Sequence, residues 1–168
     1  MRAARPRALR GGSGHAAEFA FVAVLSFGAV IAALVSQHAF GMEPCPWCVL
    51  QRLLFLAIGV FALLGLVWRG AAGSRVAGTF ALLLAAAGVA AALWQQFVAA
   101  KSASCNLTLA DRIMTATGLD AMLPSVFEAR ASCADAAVDL LHVPYAYWAA
   151  VAFALCGIVV VRVLHANA

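Results

Sequence analysis

The chain has 168 residues, 65% of them hydrophobic and only 11% charged, with a mean hydropathy of +0.97. A soluble domain is nearer half apolar and a quarter charged, and no soluble core of this size hides so many apolar side chains, so lipid is the solvent for much of the surface. The formal charge of +4 does not point to nucleic acid, because Arg2, Arg5, Arg7 and Arg10 sit ahead of an apolar run, where basic residues act as a topological anchor.

About 20 apolar residues in helix cross the ~30 Å hydrocarbon layer, and four stretches qualify: residues 19–40, 49–68, 76–99 and 144–164. The first has the basic flank of a secretory signal, but it is too long for a signal core and three more spans follow, so we read it as a retained helix. The chain reads as one membrane domain, residues 1–168, with a tail over 1–18, outer loops over 41–48 and 100–143, and a short basic turn over 69–75. The fold class expected is an all-α membrane protein, a bundle of four transmembrane helices. Within the long loop, Leu107, Leu109, Ile113 and Met114, then Leu119, Met122, Leu123, Val126 and Phe127, alternate with charges. These runs are too short to span and are broken by Gly118 and Pro124. They read as one or two short amphipathic helices at the membrane interface, or as loop packed on the bundle.

Four spans place both termini and the 69–75 turn on one side. That side carries Arg2, Arg5, Arg7, Arg10, Arg69, Arg75 and Arg162, seven of the eleven basic residues. The positive-inside rule makes it cytoplasmic. Cys45, Cys48, Cys105 and Cys133 then all face the outside, where disulfides form and persist. The fifth cysteine, Cys156, falls inside the last span and reads as a small core residue.

Cys45-Pro46-Trp47-Cys48 stands where the first outer turn meets the second span. Proline suits the first helical position, since its missing N–H would be unpaired there. Cys45 is then the cap and Cys48 lies one turn inside, with both sulfurs on one face. A helix N-terminus stabilises a thiolate, and Arg52, four residues after Cys48, adds a cation on the same face and makes Cys48 the better nucleophile. An arginine at the edge of a span is costly unless it is used; snorkelling to the headgroups is its ordinary alternative. A c-type haem site would need His after Cys48, where Val49 stands. His15, His38, His142 and His165 supply no mid-span pair of ligands. A zinc site would offer a second close pair, whereas Cys105 and Cys133 lie 28 positions apart; no metal is expected. Local geometry favours Cys45–Cys48 and Cys105–Cys133 as resting disulfides, with a cross-link between pairs as an exchange intermediate.

Gln37-His38, the block Glu43-Pro44-Cys45-Pro46-Trp47-Cys48-Val49-Leu50-Gln51-Arg52, and Cys105 and Cys133 ahead of the fourth span together resemble the disulfide bond formation protein B family. The resemblance covers most of the chain from the first span onward. It implies a bacterial inner-membrane enzyme that oxidises a soluble periplasmic DsbA-like thiol oxidase and passes the electrons to a membrane quinone, ubiquinone or menaquinone. It further implies that the partner attacks the Cys105–Cys133 disulfide at Cys105, that Cys133 then attacks Cys45, and that Cys48 and Arg52 face the quinone. A partner as oxidising as about −120 mV demands a strong terminal acceptor, since each ~30 mV of mismatch costs about 1.4 kcal/mol. The resemblance assigns no role to Trp94-Gln95-Gln96 or to Cys156.

Three other readings stay open, one of them a structural membrane protein stapled by inert disulfides, for which Arg52 would have no special purpose. A vitamin K epoxide reductase-like oxidoreductase also couples loop cysteines to a Cys-x-x-Cys and a quinone, but its loop pair precedes that motif. A thiolate-based heavy-metal transporter, of a different class, would need ligands continuing across the bilayer to the cytoplasmic side.

Overall fold

The computed structural model describes residues 14–68, 70–101 and 108–166. Four long helices, α1 (Gly14–Phe40), α2 (Pro46–Val67), α3 (Ala71–Phe97) and α7 (Tyr145–Ala166), are each long and apolar enough to cross a membrane. Between α3 and α7 lie a 3₁₀ turn (Ala99–Lys101), three short helices, α4 (Leu109–Thr117), α5 (Leu119–Met122) and α6 (Pro124–Phe127), and a two-stranded ribbon, β1 (Asp139–Leu140) and β2 (Val143–Pro144). The protein is the expected all-α, four-helix membrane bundle.

Each long helix turns one stripe inward at the three- and four-residue spacing of an α-helix. On α1 the stripe is Phe19, Val22, Ala23, Ser26, Val30 and Gln37; on α7 it is Ala146, Phe153, Cys156, Val160 and Val163. Opposite faces stay apolar and exposed, as at Val24, Ile31, Leu83 and Ile158, which suits contact with lipid. In α3 the inward stripe is built from small residues, among them Ala77, Gly78, Ala81, Ala85 and Gly88. Small residues let helix backbones approach closely where lipid supplies no hydrophobic drive for association, and α3 packs most extensively, against α7 and α2. A Cβ on Gly88 would overlap the Phe153 ring, which stacks on Phe55 with centroids 3.7 Å apart and planes 6° from parallel. By contrast, α1 and α7 meet over a shorter stretch, which leaves a lateral opening between them.

Three helices start earlier than the hydropathy reading, whereas α2 and α3 end slightly short of it, at Val67 and Phe97. α1 starts by Gly14, α2 at Pro46 and α3 at Ala71, so Arg75 belongs to α3 instead of a turn. Hydropathy marks where lipid begins, whereas helices continue into the interface as long as their backbone groups find partners, as Ser74 N–H does on the Gly70 carbonyl at 3.0 Å.

The long loop, over its described residues from Thr108 onward, is folded onto the bundle. Thr108 caps α4 through a reciprocal box with Asp111, and Gly118 ends it with φ of 66°, a conformation glycine adopts freely. Pro124 opens α6 at its first position. Ala110 and Met114 of α4 and Phe127 of α6 are buried, with Met114 and Phe127 packed on Val49 of α2. Leu109 and Met122 remain exposed on the other side. The ribbon was not expected: its register pairs Asp139 with Pro144 and Leu140 with Val143, and its turn places Leu141 and His142 at φ of 55° and 63°. Neither is the glycine or asparagine that signals such a turn.

Candidate functional site

Cys45 is the N-cap of α2, with extended backbone (φ −85°, ψ 167°) and Pro46 at the first helical position. Its sulfur accepts a hydrogen bond from the Cys48 backbone N–H at 3.3 Å, so the motif caps its own helix. Cys45 Sγ and Cys48 Sγ lie 2.8 Å apart, on one face as the spacing required. Cys45 is fully buried.

Cys133 reaches the same point from the far end of the loop. The Pro44 carbonyl accepts the backbone N–H groups of Arg130 and Ala131, at 2.9 and 3.3 Å, which seats the incoming strand beside the residue preceding Cys45. Ser132 then closes a small turn around Cys133: its hydroxyl donates to Asp135 Oδ2 at 2.6 Å and accepts the Asp135 N–H at 3.2 Å. The Cys133 side chain ends in one buried cluster with Cys45 and Trp47. Interaction with the Cys45 thiol holds the Cys133 thiol below the ordinary cysteine value, against its partial burial, which raises it. Cys45 is driven strongly the other way, first by its hydrogen bonds with Cys133 and Cys48 and then by burial. Cys45 therefore keeps its proton while Cys133 is readied as a thiolate. The three sulfurs of Cys45, Cys48 and Cys133 are gathered in one packed cluster.

Arg52 is buried, as its position four residues after Cys48 leads one to expect, but its guanidinium is turned elsewhere. Nη1 donates to Gln37 Oε1 at 2.7 Å and to the Val126 carbonyl at 2.8 Å, and Nη2 reaches the Ala33 carbonyl at 3.5 Å. It thus ties α2 to α1 and α6. The side chain that touches Cys48 is Gln95 of α3, whose Nε2 donates to Cys48 Sγ at 3.2 Å. Gln95 carried no assignment in the sequence reading. A polar residue inside an apolar span was the available signal, but its partner could not be read without the packing of α3 on α2.

Beneath these residues the opening between α1 and α7 is a groove of about 1100 Å³, floored by Cys48, Gln51, Arg52 and Phe55. Its walls are mostly apolar, with Phe21 and Leu25 of α1 facing Trp148 and Ala152 of α7. Among the described residues, two buried N–H donors have no partner, Arg52 Nε and Gln37 Nε2. Unpaired buried donors are uncommon and mark places where a further acceptor is accommodated. Cys105 lies outside the described residues. Cys156 is buried in the bundle against the Ser26 hydroxyl, 3.7 Å away, far along the chain from the other cysteines.

A cluster of exchange-competent sulfurs at the edge of a four-helix membrane bundle defines a membrane thiol oxidoreductase. The family model described as Disulfide bond formation protein DsbB matches residues 16–163. Disulfide bond formation protein B of Aromatoleum aromaticum is 34% identical over 145 residues, covering 84% of each chain. Disulfide bond formation protein B 1 of Pseudomonas savastanoi pv. phaseolicola is 34% identical over 131 residues, 76% of each chain. Disulfide bond formation protein B of Ralstonia nicotianae is 34% identical over 137 residues, 77% of this chain and 81% of its own. The chain belongs to the disulfide bond formation protein B family.

Proposed function

We propose that this protein oxidises a soluble periplasmic DsbA-like thiol protein and delivers the electrons, through two cysteine pairs, to a quinone in the bacterial inner membrane. The observation that carries the reading is the gathering of Cys45, Cys48 and Cys133 in one packed cluster, with Cys45 Sγ 2.8 Å from Cys48 Sγ. Thiol–disulfide exchange needs an attacking thiolate, a central sulfur and a departing sulfur close together. Cys133 is the attacker, buried Cys45 the centre, and Cys48 the sulfur that departs. When the Cys133 sulfur bonds to Cys45, the Cys45–Cys48 bond breaks and its electron pair stays on Cys48. Cys105 takes the mixed disulfide with the partner and releases Cys133 for this step.

The groove fits a quinone. It is apolar along its length, as an isoprenoid tail requires, and its floor carries the polar side chains of Gln51 and Arg52. A bound quinone supplies a two-electron, two-proton acceptor. Arg52 and Gln51 would hold its head, Cys48 lines the same space, and the α1 and α7 side chains keep water from the departing thiolate. The charge asymmetry of the sequence supports both termini in the cytoplasm and the four cysteines in the periplasm.

Quinone reduction by purified protein supplied with a reduced DsbA-like protein tests the proposal. Steady turnover is expected, abolished by Cys45→Ser, Cys48→Ser, Cys105→Ser or Cys133→Ser and retained in Cys156→Ser. Turnover that survives loss of any of the first four would falsify the relay. An impermeant thiol reagent applied to intact, reduced cells checks the orientation: labelling of Cys105 only after the cells are lysed would overturn the periplasmic placement.

A further inference from the structure

Between α2 and α3, two glutamines form a directed chain that ends on sulfur. Gln51 Nε2 donates to Gln95 Oε1 at 2.6 Å, and Gln95 Nε2 donates to Cys48 Sγ at 3.2 Å. Both side chains are buried, at 5% and 6% exposed, in helices otherwise almost wholly apolar. Buried amides in a membrane bundle are costly unless paired. Here the pairing also fixes a direction: with the Gln95 oxygen occupied by Gln51, only its NH₂ end can face the sulfur.

We propose that Gln95 is a positioning residue for the Cys48 thiolate, with Gln51 holding its amide in the donating orientation. The inference rests on the relay above, in which Cys48 carries the electron pair released from Cys45. A negative sulfur at the edge of the hydrocarbon needs a donor, because hydrogen bonds to charged groups are roughly twice as strong as neutral ones and an unpaired buried charge is disfavoured. The other charged or titratable groups facing Cys48 are Arg52, Cys45 and Cys133. The Arg52 hydrogen bonds go to Gln37, Val126 and Ala33, so its charge acts on the sulfur without touching it. An amide adds a donor that neither gains nor loses a proton, so it supports the thiolate without competing for the proton that the reaction moves. It also sets the sulfur's direction, since the hydrogen bond pulls Cys48 Sγ toward α3, along the floor shared with the groove.

The test follows the chemistry of the sulfur itself. Fully reduced, full-length protein in lipid nanodiscs is alkylated with iodoacetamide across a pH series, and the rate at each cysteine is read by mass spectrometry of the labelled peptides. Wild type is compared with Gln95→Leu, Gln95→Glu and Gln51→Leu. In Gln95→Leu the Cys48 rate at neutral pH should fall about tenfold, with its profile displaced to higher pH. Gln95→Glu, which keeps the shape but places a carboxylate beside the sulfur, should fall further, and Gln51→Leu by about threefold. Cys133 should stay within about twofold of wild type in all three, reporting that the site is still assembled.

If Cys48 in both Gln95 variants follows the wild-type curve, the proposal is overturned. Collapse of Cys133 reactivity in both also overturns it, since Gln95 would then act only by packing. No quinone or partner enters these rates, so the two readings fail separately. Gln95-dependent alkylation with no wild-type quinone turnover sinks the relay alone, and the reverse pattern sinks only this inference.

Discussion

Arg130 donates its backbone N–H to the Pro44 carbonyl at 2.9 Å, and through this bond the end of a long loop is fastened next to the first turn of α2. Ala131 shares the same acceptor, and Cys133, two residues on, packs in one buried cluster with Cys45. A main-chain bond, independent of side-chain identity, thus sets which sulfurs meet.

Removing that N–H should uncouple the sulfurs. In protein carrying Cys48→Ser and Cys105→Ser, mild oxidation is expected to join Cys45 to Cys133. Adding Arg130→Pro, which leaves Pro44 with only the longer Ala131 bond, should slow formation of this cross-link by about tenfold, the equivalent of about 1.4 kcal/mol of lost positioning. Non-reducing peptide mapping over time measures it. An unchanged rate would mean the loop is held by other contacts.

The two sulfurs should also separate by pH. Thiolate is the form that alkylates. Cys133, lowered by its hydrogen bond with Cys45, ionises at lower pH than an ordinary thiol, while Cys45, raised by its hydrogen bonds and burial, stays protonated through the neutral range and well above it. As pH rises from about 5, labelling of reduced protein should therefore appear first at Cys133 and stay minimal at Cys45 at pH 8 and above. Equal rates at the two positions near neutrality would contradict the shared-proton arrangement.

Arg52→Lys retains the charge but not the planar fork that serves Gln37, Val126 and Ala33 together. One ammonium cannot reach all three acceptors at once. We expect the KM for quinone to rise about tenfold or more, and stability to fall by about 1–3 kcal/mol as buried acceptors lose their partners. Steady-state kinetics with varied quinone, alongside thermal unfolding in detergent, separates the two effects. Unaltered quinone kinetics would remove Arg52 from the proposed binding floor.

Gly88→Ala probes the bundle without touching the sulfurs. The added methyl meets the Phe153 ring, which is stacked on Phe55 and has little room to turn. Overpacking of this kind costs about 1–3 kcal/mol, and Phe153→Leu in the same chain should recover much of the loss. A double-mutant cycle in unfolding measurements shows whether the two positions are coupled; additive effects would place the strain elsewhere.

Run length and local spacing by themselves established the solvent, the four spans and the Cys-x-x-Cys turn that opens α2. Lipid was evident because 65% hydrophobic residues exceed what a soluble core can bury. Pro46 between Cys45 and a long apolar run named the cap, since capping depends on neighbours in the chain. Gly118 and Pro124 marked breaks in the loop for the same reason. Only the tertiary structure decided that Cys133 rests on Cys45, that Gln95 and not Arg52 touches Cys48, and that Arg52 is spent on Gln37 and Val126. It likewise opened the groove between α1 and α7, where two helices far apart in sequence fail to close on one another. Helix starts and spans are set by nearest neighbours and by the thickness of the bilayer. A contact such as that between Gln95 and Cys48, 47 positions apart, depends on the depth and rotation at which whole helices pack, and no local pattern encodes those.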